Sequence, residues 1–104
     1  MSTVFQINQF NSTYWRNAKG TWRDTNAIGT WKDYWLEHSD MKFPLMCSVI
    51  GCANRAVYGA HVTQSEDVFD KDAMYIAPLC RYCNNPMSML YFNLAVGTRL
   101  VSVK

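Results

Sequence analysis

Four residues separate Cys47 from Cys52, and two separate Cys80 from Cys83; the chain has no other cysteines. Two close pairs separated by a longer stretch are what a tetrahedral thiolate site needs. Each pair wraps an ion through a tight turn, and the intervening chain brings the pairs together. The spacing therefore predicts a closed four-thiolate metal site with zinc as the structural ion. Two disulfides in an exported protein are the alternative use of four cysteines. Redox chemistry at Cys80-Arg81-Tyr82-Cys83 would need a βαβ setting, which the pattern lacks, and it would leave Cys47 and Cys52 unexplained.

The other candidates for chemistry are fewer. His61 stands in Gly59-Ala60-His61-Val62. It has three readings: a general base, a structural histidine donating to the backbone around the first cysteine pair, or a replacement zinc ligand. Four carboxylates, Glu66, Asp67, Asp70 and Asp72, cluster between Ser65 and Asp72. They read as a solvated loop, because a calcium loop needs a regular alternation of oxygen ligands and a placed glycine.

The elements that must position these residues follow from local pattern. Thr30 is a good N-cap with Asp33 three residues on, so a helix is expected from Trp31 to His38. That puts Trp31 and Trp35 one turn apart on a packing face. A short helix around Ser12–Asn17 is a further option. Trp15 and Trp22 remain open between core and binding surface. Met41 to Met46 is a connector, with Pro44 disfavouring helix at Phe43. Gly51 suits a tight, left-handed turn between the first cysteines. Residues 56–58 and 60–62 read as two short strands hinged near Gly59, and 74–77 as another. Cys80 and Cys83 are expected on the first turn of a short helix. Residues 90–95 and 98–103 read as a hairpin through Val96-Gly97.

At 104 residues the chain is one domain, and at 49% hydrophobic residues it is not disordered. It divides into a Trp-rich helical lead-in (1–46), a metal-binding section (47–86) and a C-terminal hairpin (87–104). No run of 18 apolar residues exists, so no membrane span is expected. The first residues lack the basic and apolar regions of a signal peptide, which points to a reducing cytoplasm where thiols bind metal. The formal charge is +2. Four thiolates subtract four charges and a zinc ion restores two, so the loaded chain is neutral overall. No basic run tracks a phosphate backbone. A protein is thus the expected partner, with structured nucleic acid as the second target class.

A cysteine knuckle, a hairpin and then a helix with the second pair is treble-clef order. Gly59-Ala60-His61-Val62 followed by Tyr75-Ile76-Ala77-Pro78-Leu79-Cys80-Arg81-Tyr82-Cys83-Asn84 resembles the HNH endonuclease family over residues 47–86. The resemblance implies an α+β fold: a small zinc-stabilised, treble-clef-like domain. It places His61 at the general-base position and Asn84 at the last motif position, which helps hold a catalytic metal. The position before the base, an acidic or histidine ligand in the family, is Ala60. The expected middle asparagine is missing from residues 74–77. The catalytic motif is therefore degenerate. The chain is also similar to small bacterial and phage proteins with a Trp-rich lead-in and a Gly-Ala-His-Val step. The degenerate motif implies a small non-catalytic zinc-binding interaction protein that keeps the scaffold without its chemistry. Compact, aromatic-rich single domains are common among phage inhibitors of host defences, and that analogy suggests inhibition of a host protein or nucleoprotein complex. The alternative is an HNH-type nuclease acting through His61 and Asn84.

Overall fold

The computed structural model describes residues 4–8, 14–18, 30–85 and 90–103. Thr30 has extended backbone and its hydroxyl accepts from the Asp33 N–H at 3.1 Å. Asp33 in turn accepts from the Thr30 N–H at 3.3 Å, which completes a capping box. Helix α1 then runs Trp31–Ser39 and ends on Asp40 in the left-handed region, φ 55°. The helix is an element the sequence predicts to within one residue.

Among the described residues, five strands form one antiparallel sheet: β1 (Val4–Gln6), β2 (Arg16–Asn17), β3 (Tyr58–Thr63), β4 (Met74–Leu79) and β5 (Arg99–Ser102). Their order is β1-β5-β4-β3-β2, so β1 and β2 are the edges. The β3–β4 hairpin is the centre, with Tyr58 opposite Leu79 and Thr63 opposite Met74. A single 3₁₀ turn, Lys71–Ala73, leads into β4.

Side chains alternate across a strand, so this register assigns two faces. Ala60, Val62, Ala77, Leu79 and Leu100 point one way, into a core shared with Trp15, Leu94, Cys47 and Cys80. Ile76 and Val101 point the other way, into a core built on Trp35. Helix α1 covers that second face. Trp35 Nε1 donates to the Arg99 carbonyl at 2.9 Å and Tyr34 Oη to the Ser102 carbonyl at 2.9 Å, so the helix is bonded to β5 as well as packed on it. Trp31 and Trp35 pack as their helical spacing predicts.

Several expectations are corrected. Gly59 is not a hinge: β3 runs through it unbroken. A Cβ there would lie 2.5 Å from the Trp31 carbonyl carbon, so this glycine lets the helix start approach the sheet. Arg16–Asn17 is edge strand β2 and not the end of a helix; residues 12–13 lie outside the described set. The lead-in is thus strand and helix, not helix alone. Trp15 is buried at 6% exposure, whereas Trp22 lies outside the described residues. The C-terminal hairpin does not form. The chain does turn at Val96-Gly97, but Phe92 pairs with Trp15 and Leu94 with Val49, while β5 pairs with β1 and β4. Apolar Leu94 and Phe92 are drawn onto the cysteine face, which separates the two arms. Finally, the described residues after Cys80 make a turn rather than a helix. Pro86 disfavours helical backbone at Asn85, which stops a helix before it can propagate.

Candidate metal centre

The β3–β4 hairpin explains how cysteines separated by nearly thirty residues meet. Tyr58 begins β3 shortly after the first pair, and its partner Leu79 immediately precedes Cys80. The Ser48 N–H donates to the Pro78 carbonyl at 3.0 Å and the Val57 N–H to the Leu79 carbonyl at 2.9 Å, tying the first loop to the end of β4. The loop closes on itself through Cys47 N–H to the Asn54 carbonyl, 2.9 Å, and Cys52 N–H to the Val49 carbonyl, 3.1 Å. Gly51, at φ 82°, makes that turn possible. On its outer side the loop bonds to the C-terminal segment: Ile50 N–H to the Asn93 carbonyl at 2.9 Å, and Ala95 N–H to the Ser48 carbonyl at 2.8 Å.

The result is a cluster in which the four sulfurs of Cys47, Cys52, Cys80 and Cys83 all lie within 4.8 Å of one another. Cys52 Sγ is 3.7 Å from Cys80 Sγ and 3.9 Å from Cys83 Sγ. A tetrahedral ion with metal–sulfur bonds of about 2.3 Å requires sulfur–sulfur edges of roughly 3.8 Å. A disulfide requires about 2.05 Å, and all four thiols are free. The arrangement matches ligands around an ion and not cystines. Cys47 and Cys80 are buried, while Cys52 and Cys83 are half-buried, so the cluster sits at the edge of the core with one side toward solvent.

Charge in the cluster is uneven. Burial pushes the Cys47 thiol above its ordinary value, only partly offset by backbone hydrogen bonds. Cys83 is pushed up further, first by burial and then by its neighbours Cys80 and Cys47. Burial also opposes ionisation of Cys80, but the Cys83 N–H and the surrounding thiols outweigh it and bring Cys80 down to about 7. The Cys83 N–H lies 3.3 Å from Cys80 Sγ, the pairing that a short two-residue spacing produces. Cys80 therefore ionises more readily than Cys47 or Cys83.

Two supporting residues escape a reading based on cysteine spacing. Asn17, buried on edge strand β2, donates from Nδ2 to the Cys83 carbonyl at 2.9 Å and holds the second turn against the sheet. Asn54 directs its Nδ2 toward Cys80 Sγ at 3.9 Å. Asn54 had a sequence signal, an amide two residues beyond Cys52. Asn17 had none, because its relevance depends on β2 pairing with β3.

His61 lies elsewhere. Its partner across the hairpin is Ile76, on the helix face, whereas neighbouring Ala60 and Ala77 face the cysteines. Its ring packs edge-on against Trp31 with centroids 4.5 Å apart. The pleat thus separates His61 from the sulfur cluster by the thickness of the sheet, and His61 is not among the clustered ligand candidates. Asn84 ends the Cys80 turn, its N–H donating to the Cys80 carbonyl at 2.9 Å. It belongs to the cysteine end of the molecule, whereas His61 lies on the helix face of the sheet. The acidic loop is built from local turns: Asp67 accepts from Phe69 N–H and Asp70 from Asp72 N–H, both at 3.0 Å.

Comparison of the chain with protein-family models, with curated proteins and with solved structures gives no match. The geometry of the site itself therefore carries the functional argument. No helix among the described residues is long and apolar enough to cross a membrane.

Proposed function

We propose that this chain is a small zinc-braced interaction protein with no chemistry at its metal. One observation carries the reading: four free thiols gathered at ligand spacing, with His61 turned to the opposite face of the sheet. A soft four-sulfur set selects zinc among the abundant divalent ions, and four thiolates leave no coordination position for water. The ion is then an architectural pin. A reduced cytoplasm keeps the thiols available for it. The partner is a protein, given a neutral loaded chain and exposed Tyr14, Tyr82, Leu90 and Tyr91. Inhibition of a host protein or nucleoprotein complex is the role that analogy with compact, aromatic-rich phage proteins suggests.

The competing reading is an HNH-type nuclease using His61 and Asn84. Incubating the zinc-loaded protein with plasmid and Mg²⁺ or Mn²⁺, beside a His61→Ala variant, separates the two. The expected result is intact plasmid in both. Cleavage that disappears with the variant would overturn the non-catalytic reading.

A further inference from the structure

Away from the cysteines, at the other end of the same sheet face, three aromatic rings enclose a hollow of about 300 Å³. The pleat places them there. Phe5 on β1 lies opposite Leu100 on β5, so both point to the face that carries Trp15 and Tyr75. Tyr75 opens β4, five residues before Cys80, so the hollow is roughly 16 Å from the metal centre. Phe5 and Tyr75 meet at 5.4 Å and 81°, and Trp15 and Tyr75 at 5.7 Å and 85°. Leu100 forms the floor, Ile7 adds a further apolar side chain, and exposed Gln64 stands at the rim. Neighbouring walls are thus nearly perpendicular, the geometry of a box and not of a stack.

The chemistry of the lining narrows the occupant. No charged side chain is present among the described lining residues. A primary ammonium keeps a tight hydration shell and needs a carboxylate or carbonyl to replace it. A quaternary ammonium donates no hydrogen bonds, is weakly hydrated, and is held by ring faces through their quadrupoles. A trimethylammonium head fits easily within the volume, and the Gln64 amide suits a polar tail beyond it.

We propose that Phe5, Trp15 and Tyr75 form an aromatic cage for a quaternary ammonium group. The cage stands on side chains of the sheet and does not depend on which metal fills the cysteine site. It adds a ligand class to a molecule otherwise read as a scaffold.

The test is a titration of the zinc-loaded protein with choline chloride, followed by the aromatic and indole resonances in NMR. The neutral carbon isostere 3,3-dimethylbutan-1-ol is titrated in parallel. Saturable shifts in the millimolar range are expected, with choline bound about tenfold more tightly than the alcohol. Phe5→Leu keeps an apolar residue at a half-exposed edge position. It is expected to weaken choline about fivefold while leaving zinc content and spectral dispersion unchanged. Equal binding of the neutral alcohol would reduce the site to an apolar hollow and overturn the proposal. So would the absence of saturable shifts in the wild-type protein, or an unchanged choline affinity in Phe5→Leu. Competition by phosphatidylcholine vesicles and by a trimethyllysine peptide then identifies the source; if neither displaces choline, the cage serves the free cation.

Discussion

Three of the four cysteines differ in how readily they ionise. Cys80 is buried, receives the Cys83 N–H and has its pKa lowered to about 7 from the ordinary 9.0, whereas Cys47 and Cys83 are raised. Cys80→Ser exchanges that ligand for a poor one. It is expected to reduce zinc content sharply and to lower stability by several kcal/mol, read by elemental analysis and denaturant unfolding. The pH dependence follows from the same residues. In the metal-free fold the lowered Cys80 contributes stability above pH 9 that is lost as pH falls through about 7. The raised Cys47 and Cys83 contribute below pH 9 and lose that contribution as pH rises. Metal binding removes all of these protons, so affinity rises with pH. A zinc titration should show affinity falling with acidity, and more steeply below pH 7, where the Cys80 proton joins those of Cys47 and Cys83. A flat profile would show that the thiols are not the ligands.

At the scale of elements, the helix and the sheet meet most closely at Gly59. The nearest atoms to an added Cβ are all backbone, Trp31 C at 2.5 Å, Lys32 N at 2.6 Å and Trp31 O at 2.6 Å, so no side chain can swing aside. Gly59→Ala should therefore destabilise by about 1–3 kcal/mol through displacement of α1, without loss of bound zinc. Gly51→Ala is the contrast. Nothing lies within 4 Å, but its φ of 82° remains, so it should cost about 1–2 kcal/mol and weaken the metal site itself. Circular dichroism melts with and without chelator distinguish the two. The helix was legible because Thr30, Asp33 and the Trp31–Trp35 spacing all act within ten residues. Strand β4 and each close cysteine pair were legible for the same reason, whereas local pattern alone breaks β3 into two strands at Gly59. What was hidden depends on distant partners. Neither β1 nor β2 carries enough residues for a local signal, and each exists by pairing with β5 or β3. The C-terminal turn was visible, but the destinations of its arms, Trp15, Val49 and β4, were not.

At the scale of the molecule, one sheet separates two cores with different supports. The helix face is held by Trp35, Ile76 and Val101 and by two side-chain bonds from α1 to β5. The cysteine face is covered by loops, the 47–56 knuckle and the 90–95 segment, which have little regular structure of their own. An ion bonded to both cysteine pairs would cross-link such a cover. His61 lies on one face of the sheet and the sulfur cluster on the other. The most direct measurement is the metal and thiol state of protein purified without added metal under native conditions. One zinc per chain is expected, with all four thiols resistant to alkylation until a strong chelator removes the ion and the cysteine face loosens. Metal-free protein that is fully folded, or thiols recovered as cystines, would contradict the account.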